Sequence, residues 1–166
     1  MSVDRPAASA PSPEDRIGVL FVCLGNICRS PLAEGLFLHR ARERGVLDRF
    51  DVDSAGTGGW HAGEPADRRM RAVGESRGVV LPSRARQVVD ADWTRFHHVL
   101  CMDRDNLDRV RTMGAPFDRS TLFLSVLDDP ACVEVPDPYY GGPEGFELVW
   151  KLADRAVEAW LDRLAP

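Results

Sequence analysis

Residues 17–23 read I-G-V-L-F-V-C, and residues 24–31, L-G-N-I-C-R-S-P, follow directly. The first seven residues are apolar at nearly every position and rich in β-branched and aromatic side chains, which predicts a strand buried on both faces. Gly25 and Asn26 indicate a turn after this strand. Ser30 and Pro31 are preferred at the N-cap and at the first helical position, so a helix is predicted to begin at one of them.

The rest of the chain continues this alternation of strand and helix. Further strands are predicted at residues 50–54, 98–102 and 122–126, and helices at residues 30–44, 66–77, 103–113 and after the proline-rich loop 128–143. Alternating strands and helices predict an α/β fold, with a four-stranded parallel sheet and helices on both faces. Ligands bind beyond the carboxyl ends of such strands, so the loops after Cys23, Ser54 and Met102 are the candidate functional loops.

Composition narrows the class of protein. A chain of 166 residues suits one domain, and its 21 Lys and Arg against 26 Asp and Glu give a formal charge of −5. That balance disfavours a protein that coats nucleic acid with positive charge. The apolar runs are too short to cross a membrane, and four cysteines are too few for a disulfide framework. These observations leave a soluble domain without nucleic-acid or membrane partners.

The N-terminal segment differs from the rest of the chain. Residues 1–15 are rich in Ala, Pro and Ser and have little to bury, which predicts a disordered tail before a single domain at residues 16–166. Because this segment lacks the apolar stretch of a signal peptide, the reducing cytoplasm is the expected compartment. Export by a route that needs no signal peptide stays open at this stage.

The loop at residues 23–30, C-L-G-N-I-C-R-S, carries the chemistry of the sequence. Backbone N–H groups at a helix N-terminus stabilise a thiolate and bind a phosphate-like anion. Arg29 adds a planar fork that binds two phosphate oxygens at once. Gly25 and Asn26 tolerate the left-handed backbone that turns several amides toward an anion, and the Ser30 hydroxyl is able to donate to a thiolate. A cation at the positive end of a helix indicates an anion beside it.

Residues 22–35, V-C-L-G-N-I-C-R-S-P-L-A-E-G, closely resemble the phosphate-binding loop of the low-molecular-weight protein tyrosine phosphatases. Further segments match this family in the same order: D-S-A-G-T with W-H-A-G-E-P at 53–65, A-R-Q at 85–87, L-C-M-D with N-L at 100–107, and D-P-Y-Y-G at 137–141. The similarity spans about residues 17–164. It implies a flavodoxin-like, phosphotyrosine phosphatase I-like fold, with residues 16–166 as one phosphatase domain.

The resemblance also implies the reaction. It predicts a protein tyrosine phosphatase that works through a cysteinyl-phosphate intermediate and needs neither a metal nor a cofactor. Cys23 is the implied nucleophile, Arg29 the phosphate clamp, and Asp137 the general acid and base. The expected substrate-binding residues lie on the loop and on two aromatic walls: Leu24, Gly25, Asn26, Ile27, Cys28, Ser30, Trp60, Tyr139 and Tyr140.

Partners and regulation are implied in the same way. A phosphotyrosine-containing protein is the implied substrate, and a regulating tyrosine kinase is a further implied partner, since Tyr139 and Tyr140 match phosphorylation targets of this family. Ordinary aromatic packing is the competing interpretation for Tyr140. Cys28 is implied to form a reversible disulfide with oxidised Cys23. Zinc is an alternative for these two cysteines, but no second pair has the spacing of a zinc finger.

The chain departs from the family at one position. Where the family commonly has a histidine that joins a polar network beneath the phosphate-binding loop, this chain has Ser83. Asn26, Ser30 and Ser54 remain to form that network. We therefore expect a somewhat less rigid loop with unchanged catalytic residues.

Three other functions compete with the phosphotyrosine phosphatase. An arsenate reductase needs further cysteines to relay a disulfide, and Cys101 and Cys132 are not a closely spaced pair. Protein-arginine phosphatases resemble the same family but tend to have threonine where this chain has Ile27. A non-catalytic anion-binding module has no use for both Cys23 and Asp137.

Overall fold

Four parallel strands form one sheet in a computed structural model that describes residues 11–166. The strands are β1 (Ile17–Cys23), β2 (Phe50–Gly56), β3 (His98–Cys101) and β4 (Ser120–Leu122). The helices are α1 (Arg29–Glu43), α2 (Arg68–Glu75), α3 (Asp92–Arg95), α4 (Arg104–Thr112) and α5 (Pro143–Leu164). The predicted α/β fold with a four-stranded parallel sheet is confirmed.

Strand β1 lies inside the sheet, whose order is β2-β1-β3-β4. Its side chains alternate between the two faces, because successive residues of a strand point in opposite directions. Val19 and Phe21 pack into one hydrophobic core, while Leu20 and Val22 pack into a second core on the other face. This explains why the strand is apolar at successive positions. Cys23 is the last residue of β1 and therefore lies at the carboxyl ends of the parallel strands.

Helices cover both faces of the sheet. Helices α1 and α5 pack together on one side, and α2 packs against α5. Helix α4 and the residues around α3 cover the other side. The predicted packed side of α1 is correct, since Leu32, Leu36 and Phe37 are fully buried. A hydrogen bond joins helix α5 to the residue after β4: the indole N–H of Trp160 donates to the carbonyl of Phe123 at 2.8 Å.

The predicted fourth strand is largely wrong. The structure has a strand only at Ser120–Leu122, and most of the apolar run predicted as a strand is a 3-10 helix at Phe123–Leu127. A short apolar run has no periodicity that separates a buried strand from a buried helical turn. The turn buries Phe123 and Leu124 under α5, and the left-handed Asp128 ends it (φ 50°).

Element boundaries differ in smaller ways. Helix α1 begins at Arg29, one residue before the predicted start, and no side chain caps it. Ser30 does not act as the N-cap because its hydroxyl is engaged with Cys23 and Asn26 inside the loop. The short helix α3 was not predicted, and its four residues are too few to display a helical period.

The N-terminal prediction is partly outside the structure. Residues 1–10 lie outside the described residues, and Pro13–Asp15 form a single 3-10 turn that buries no side chain. The domain boundary at residue 16 stays a prediction. Within residues 11–166, none of the helices combines the length and the hydropathy needed to span a bilayer.

Candidate active site

A cavity of about 470 Å³ opens where β1 and β2 end. Three segments line it: the loop after β1, the loop after β2, and the segment that precedes α5. Its lining residues are Cys23, Leu24, Gly25, Ile27, Cys28, Arg29, Trp60, His61, Asp137, Tyr139 and Tyr140. The cavity thus brings together every candidate residue except Asn26 and Ser30, which are buried beneath the loop.

Asn26 shapes the loop from below. Its backbone is left-handed (φ 56°), a conformation that asparagine tolerates better than most residues, whereas Gly25 does not adopt it. The side-chain amide donates to the hydroxyls of Ser30 (2.8 Å) and Ser54 (2.9 Å), and its oxygen accepts from the backbone N–H of Arg86 (3.0 Å). Asn26 therefore joins the loop to α1, β2 and the segment after α2.

The two cysteines of the loop have different surroundings. Cys23 Sγ lies 3.0 Å from the hydroxyl of Ser30, which is placed to donate to a thiolate. Burial raises the pKa of the Cys28 thiol well above its ordinary value, and the negative charge of Asp67 raises it further. Cys28 therefore remains a thiol. Burial likewise raises the pKa of the Cys101 thiol.

Arg29 is a buried cation, with 2% of its surface exposed. Its Nη1 donates to the Asp103 carboxylate at 2.6 Å and to the Val135 carbonyl at 3.0 Å, and Nη2 lies 3.7 Å from Asp137 Oδ2. Burial lowers the pKa of Arg29, but the neighbouring Cys23 and the hydrogen-bonded carboxylate of Asp103 outweigh burial and raise this pKa above its ordinary value. The guanidinium is thus charged and held in one orientation at the cavity.

Asp103 is a site residue that the sequence analysis did not assign. It is the N-cap of α4, where it forms a capping box with Asn106, and it orients Arg29. A signal for it was present, because it directly follows Met102, at the end of a strand whose following loop was already a candidate. Within residues 11–166, the structure has no group of three or more His, Cys, Asp or Glu side chains that could hold a metal ion.

Aromatic side chains form the mouth of the cavity. Trp60 is 72% exposed, and its ring lies over Gly58, where a Cβ would come within 1.9 Å of the ring. The rings of Tyr139 and Tyr140 stand edge to face, with their centres 4.9 Å apart, and both line the cavity. Tyr140 is 95% exposed, which argues against ordinary packing. His61 adds a polar group to the lining of the cavity.

A buried carboxyl group ends the polar network beneath the loop. Glu34 is 4% exposed and accepts a hydrogen bond of 2.5 Å from Ser54, whose hydroxyl lies 3.4 Å from that of Ser83. Hydrogen bonds therefore run without a gap from Glu34 through Ser54, Asn26 and Ser30 to Cys23. Burial raises the pKa of Glu34, although the hydrogen bonds from Ser54 and Ser83 oppose this shift.

The raised pKa of Glu34 predicts a pH dependence of stability. Because the folded state holds this proton more tightly than the unfolded state, the stabilisation by protonated Glu34 is fully present below the ordinary value of 4.5 and is lost as the pH rises through the folded-state value. Glu34→Gln keeps a neutral side chain at every pH. We expect the free energy of unfolding of Glu34→Gln to increase relative to that of wild type as the pH rises above 4.5.

Urea unfolding of both proteins between pH 4 and pH 8 measures this difference. Glu75→Gln, at the exposed end of α2, is the matched control. Its free energy of unfolding should differ from that of wild type by the same amount at every pH. A constant difference for Glu34→Gln would mean that Glu34 titrates alike in the folded and unfolded states.

Fold and cavity together define a class of protein. A parallel α/β sheet that presents a thiol and a buried arginine in the loop after an inner strand has the architecture of a cysteine-dependent phosphatase. Residues 18–166 match the family described as low molecular weight phosphotyrosine protein phosphatase. The chain belongs to this family, as the resemblance implied.

Individual relatives agree with this assignment. The chain is 42% identical over 144 residues to a low molecular weight protein-tyrosine-phosphatase of Streptomyces coelicolor, covering 83% of this chain and 87% of the relative. It is 36% identical to the human low molecular weight phosphotyrosine protein phosphatase, and the match covers 87% of this chain and 94% of the human protein. A crystal structure of a protein tyrosine phosphatase from Entamoeba histolytica, with Hepes in its active site, superposes with a TM-score of 0.84 at 38% sequence identity. The superposition covers 89% of this chain and 96% of the Entamoeba chain.

Proposed function

We propose that this enzyme hydrolyses phosphotyrosine in protein substrates, with Cys23 as the nucleophile, Arg29 as the phosphate clamp and Asp137 as the general acid and base. One observation carries the proposal: these three residues line a single cavity together with the aromatic side chains of Trp60 and Tyr139. The cavity offers a nucleophile, a fixed positive charge and a proton donor to a phosphate carried by an aromatic ring.

In the first step the thiolate of Cys23 attacks phosphorus in line with the tyrosyl oxygen. The S–P bond forms as the P–O bond to the phenol breaks, and Asp137 delivers its proton to the leaving phenol oxygen. Ser30 donates a hydrogen bond to Cys23 before the attack, across the observed 3.0 Å contact. Arg29 binds the phosphate oxygens, on which negative charge is concentrated in the transition state.

In the second step a water molecule attacks the cysteinyl-phosphate. Asp137, now a carboxylate, accepts a proton from this water, the S–P bond breaks, and inorganic phosphate leaves with Cys23 restored as a thiolate. Arg29 again holds the phosphate oxygens, since its contacts with Asp103 and Val135 leave its orientation unchanged. Every group in both steps belongs to the chain, the substrate or water.

The substrate class is tested by comparing peptides that carry phosphotyrosine, phosphoserine or phosphoarginine, assayed with a metal chelator present. We expect kcat/KM for phosphotyrosine to exceed that for phosphoserine by on the order of 10²-fold or more, because an aromatic ring is able to pack against the Trp60 and Tyr139 side chains that line the cavity, whereas a serine side chain offers no ring. Preference for phosphoarginine would favour the arginine phosphatase instead. Loss of activity with the chelator would contradict the metal-independent mechanism.

Compartment and regulation are part of the same proposal. We assign the enzyme to the cytoplasm, supported by four cysteines that are all free thiols. We further propose that a tyrosine kinase phosphorylates Tyr140, whose 95% exposure makes its hydroxyl accessible. The reversible disulfide between Cys23 and Cys28 is also proposed, since both cysteines line one cavity.

A further inference from the structure

The segment that carries the proposed acid makes few hydrogen bonds to the rest of the protein, although Pro138 is buried and Tyr139 packs against the core. Residues 136–142 connect Val135 to helix α5, and Asp137 accepts within the segment from the backbone N–H of Tyr139 at 3.1 Å. Apart from the bond from Gly145 of α5 to the Gly142 carbonyl at the start of that helix, one hydrogen bond reaches residues 136–142 from another element of the described chain: Arg69 Nη2 donates to the Tyr139 carbonyl at 3.1 Å. The other polar contact is the 3.7 Å ion pair between Arg29 and Asp137.

Arg69 is itself held in place from three sides. Its Nε and Nη2 donate to the two oxygens of Asp67, at 3.2 and 3.1 Å. Its guanidinium carbon lies 4.6 Å from the ring centre of Phe146 on α5 and 5.5 Å from that of Tyr139. A guanidinium fixed by a two-point contact and by stacked rings loses little further freedom when it binds a carbonyl.

Asp67 extends this chain of contacts to the phosphate-binding loop. Its backbone N–H donates to the Ile27 carbonyl at 2.7 Å, and its carboxylate caps α2 by accepting from the backbone N–H of Arg69 at 2.8 Å. The loop that carries the nucleophile and the segment that carries the acid are therefore joined through two residues at the start of α2. Each contact is short enough for a hydrogen bond.

We propose that Arg69 is a positioning residue that holds the 136–142 segment over the cavity, so that the Asp137 carboxyl reaches the leaving oxygen. This inference rests on the proposed function, because it gives Arg69 a role only through Asp137. Arg69 does not line the cavity, and it acts by fixing the Tyr139 carbonyl two residues after the acid. A proton donor on a loosened segment spends less time in the productive geometry.

The test compares Arg69→Ala with wild type on phosphotyrosine and on an aryl phosphate with a strongly acidic phenol. We expect kcat/KM for phosphotyrosine, which reports the phosphorylation of Cys23, to fall by about 10- to 100-fold, and kcat/KM for the activated ester to change far less, because that phenol leaves without a proton. The inhibition constant of inorganic phosphate should stay close to the wild-type value. Arg69→Lys should recover part of the loss, since an ammonium reaches one acceptor but does not form the fork to Asp67.

Arg77→Ala is the matched control. Arg77 also lies at the α2 side of α5, where it pairs with Glu147 and stacks on Trp150 at 5.0 Å, but it has no contact with residues 136–142. Its removal takes away an equivalent surface contact between α2 and α5. We expect wild-type kcat/KM on both esters, so a loss seen with Arg69→Ala alone is not a general effect of loosening these helices.

A double variant separates this inference from the proposed function. In the Asp137→Asn background, Arg69→Ala should cause no further loss of kcat/KM, because the group through which Arg69 acts is absent. A further loss there, an equal loss of kcat/KM on both esters, or an unchanged kcat/KM for phosphotyrosine overturns the role of Arg69 and leaves the function intact. If the loss of activity caused by Asp137→Asn alone is the same for both esters, the assignment of Asp137 as the acid is wrong, and so is the role of Arg69.

Discussion

Cys23→Ser is expected to remove phosphotyrosine hydrolysis, lowering kcat by on the order of 10⁴- to 10⁶-fold, while inorganic phosphate still binds. A serine hydroxyl does not ionise near neutral pH, so the variant lacks the nucleophile that forms the S–P bond. The charge that holds phosphate remains, because Arg29 is fixed by Asp103 and Val135 rather than by the cysteine. Turnover and the rise of the thermal midpoint with added phosphate measure the two effects separately.

Three companion variants make this result specific. Cys132→Ser, at a half-buried cysteine outside the cavity, should behave as wild type. Arg29→Lys should lose most of the phosphate-dependent rise in the midpoint, because an ammonium does not supply two parallel hydrogen bonds. Cys28→Ser should keep substantial activity and lose reversible protection against peroxide. If Cys28→Ser were as inactive as Cys23→Ser, the assignment of the nucleophile would be wrong.

Asp137→Ala is expected to lower the rate of cysteine phosphorylation by on the order of 10²- to 10⁴-fold for phosphotyrosine. A tyrosine leaving group has a pKa of about 10, so its departure as a bare phenolate is slow without a proton donor. A phenol several units more acidic leaves readily, and its ester should lose much less activity. The variant's rates should therefore depend more steeply on the pKa of the leaving group than those of wild type.

The measurement is the pre-steady-state release of phenol across a series of aryl phosphates. Phosphate binding serves as the control, because Asp137 lies 3.7 Å from Arg29 and its removal leaves the 2.6 Å bond from Arg29 to Asp103 in place. An equal loss for every ester would show that Asp137 only supports the segment before α5. Its role as the acid would then have to be given up.

Local pattern was sufficient where the interactions that decide a structure lie close together in the chain. Strand β1 and helix α1 were predicted almost to the residue, because a continuous apolar run and the residues that begin a helix are properties of neighbouring residues. The apolar run at 122–126 was the exception. Its residues suit a strand or a buried turn equally, and packing against Trp160 of α5 selects the turn.

The strand–loop–helix unit, the residues of the loop and the family were all predictable from the sequence, since each depends on short segments whose residues lie close together in the chain. The contacts that hold the site together were not predictable in this way, because they join residues far apart in the chain. Asp103 reaches Arg29 across 74 positions, and Arg69 reaches the Tyr139 carbonyl across 70. An acidic residue at a helix start is common as a cap, so nothing local marks Asp103 as the partner of a buried arginine. Such contacts form only when the chain has folded and the carboxyl ends of the parallel strands lie at the same end of the sheet.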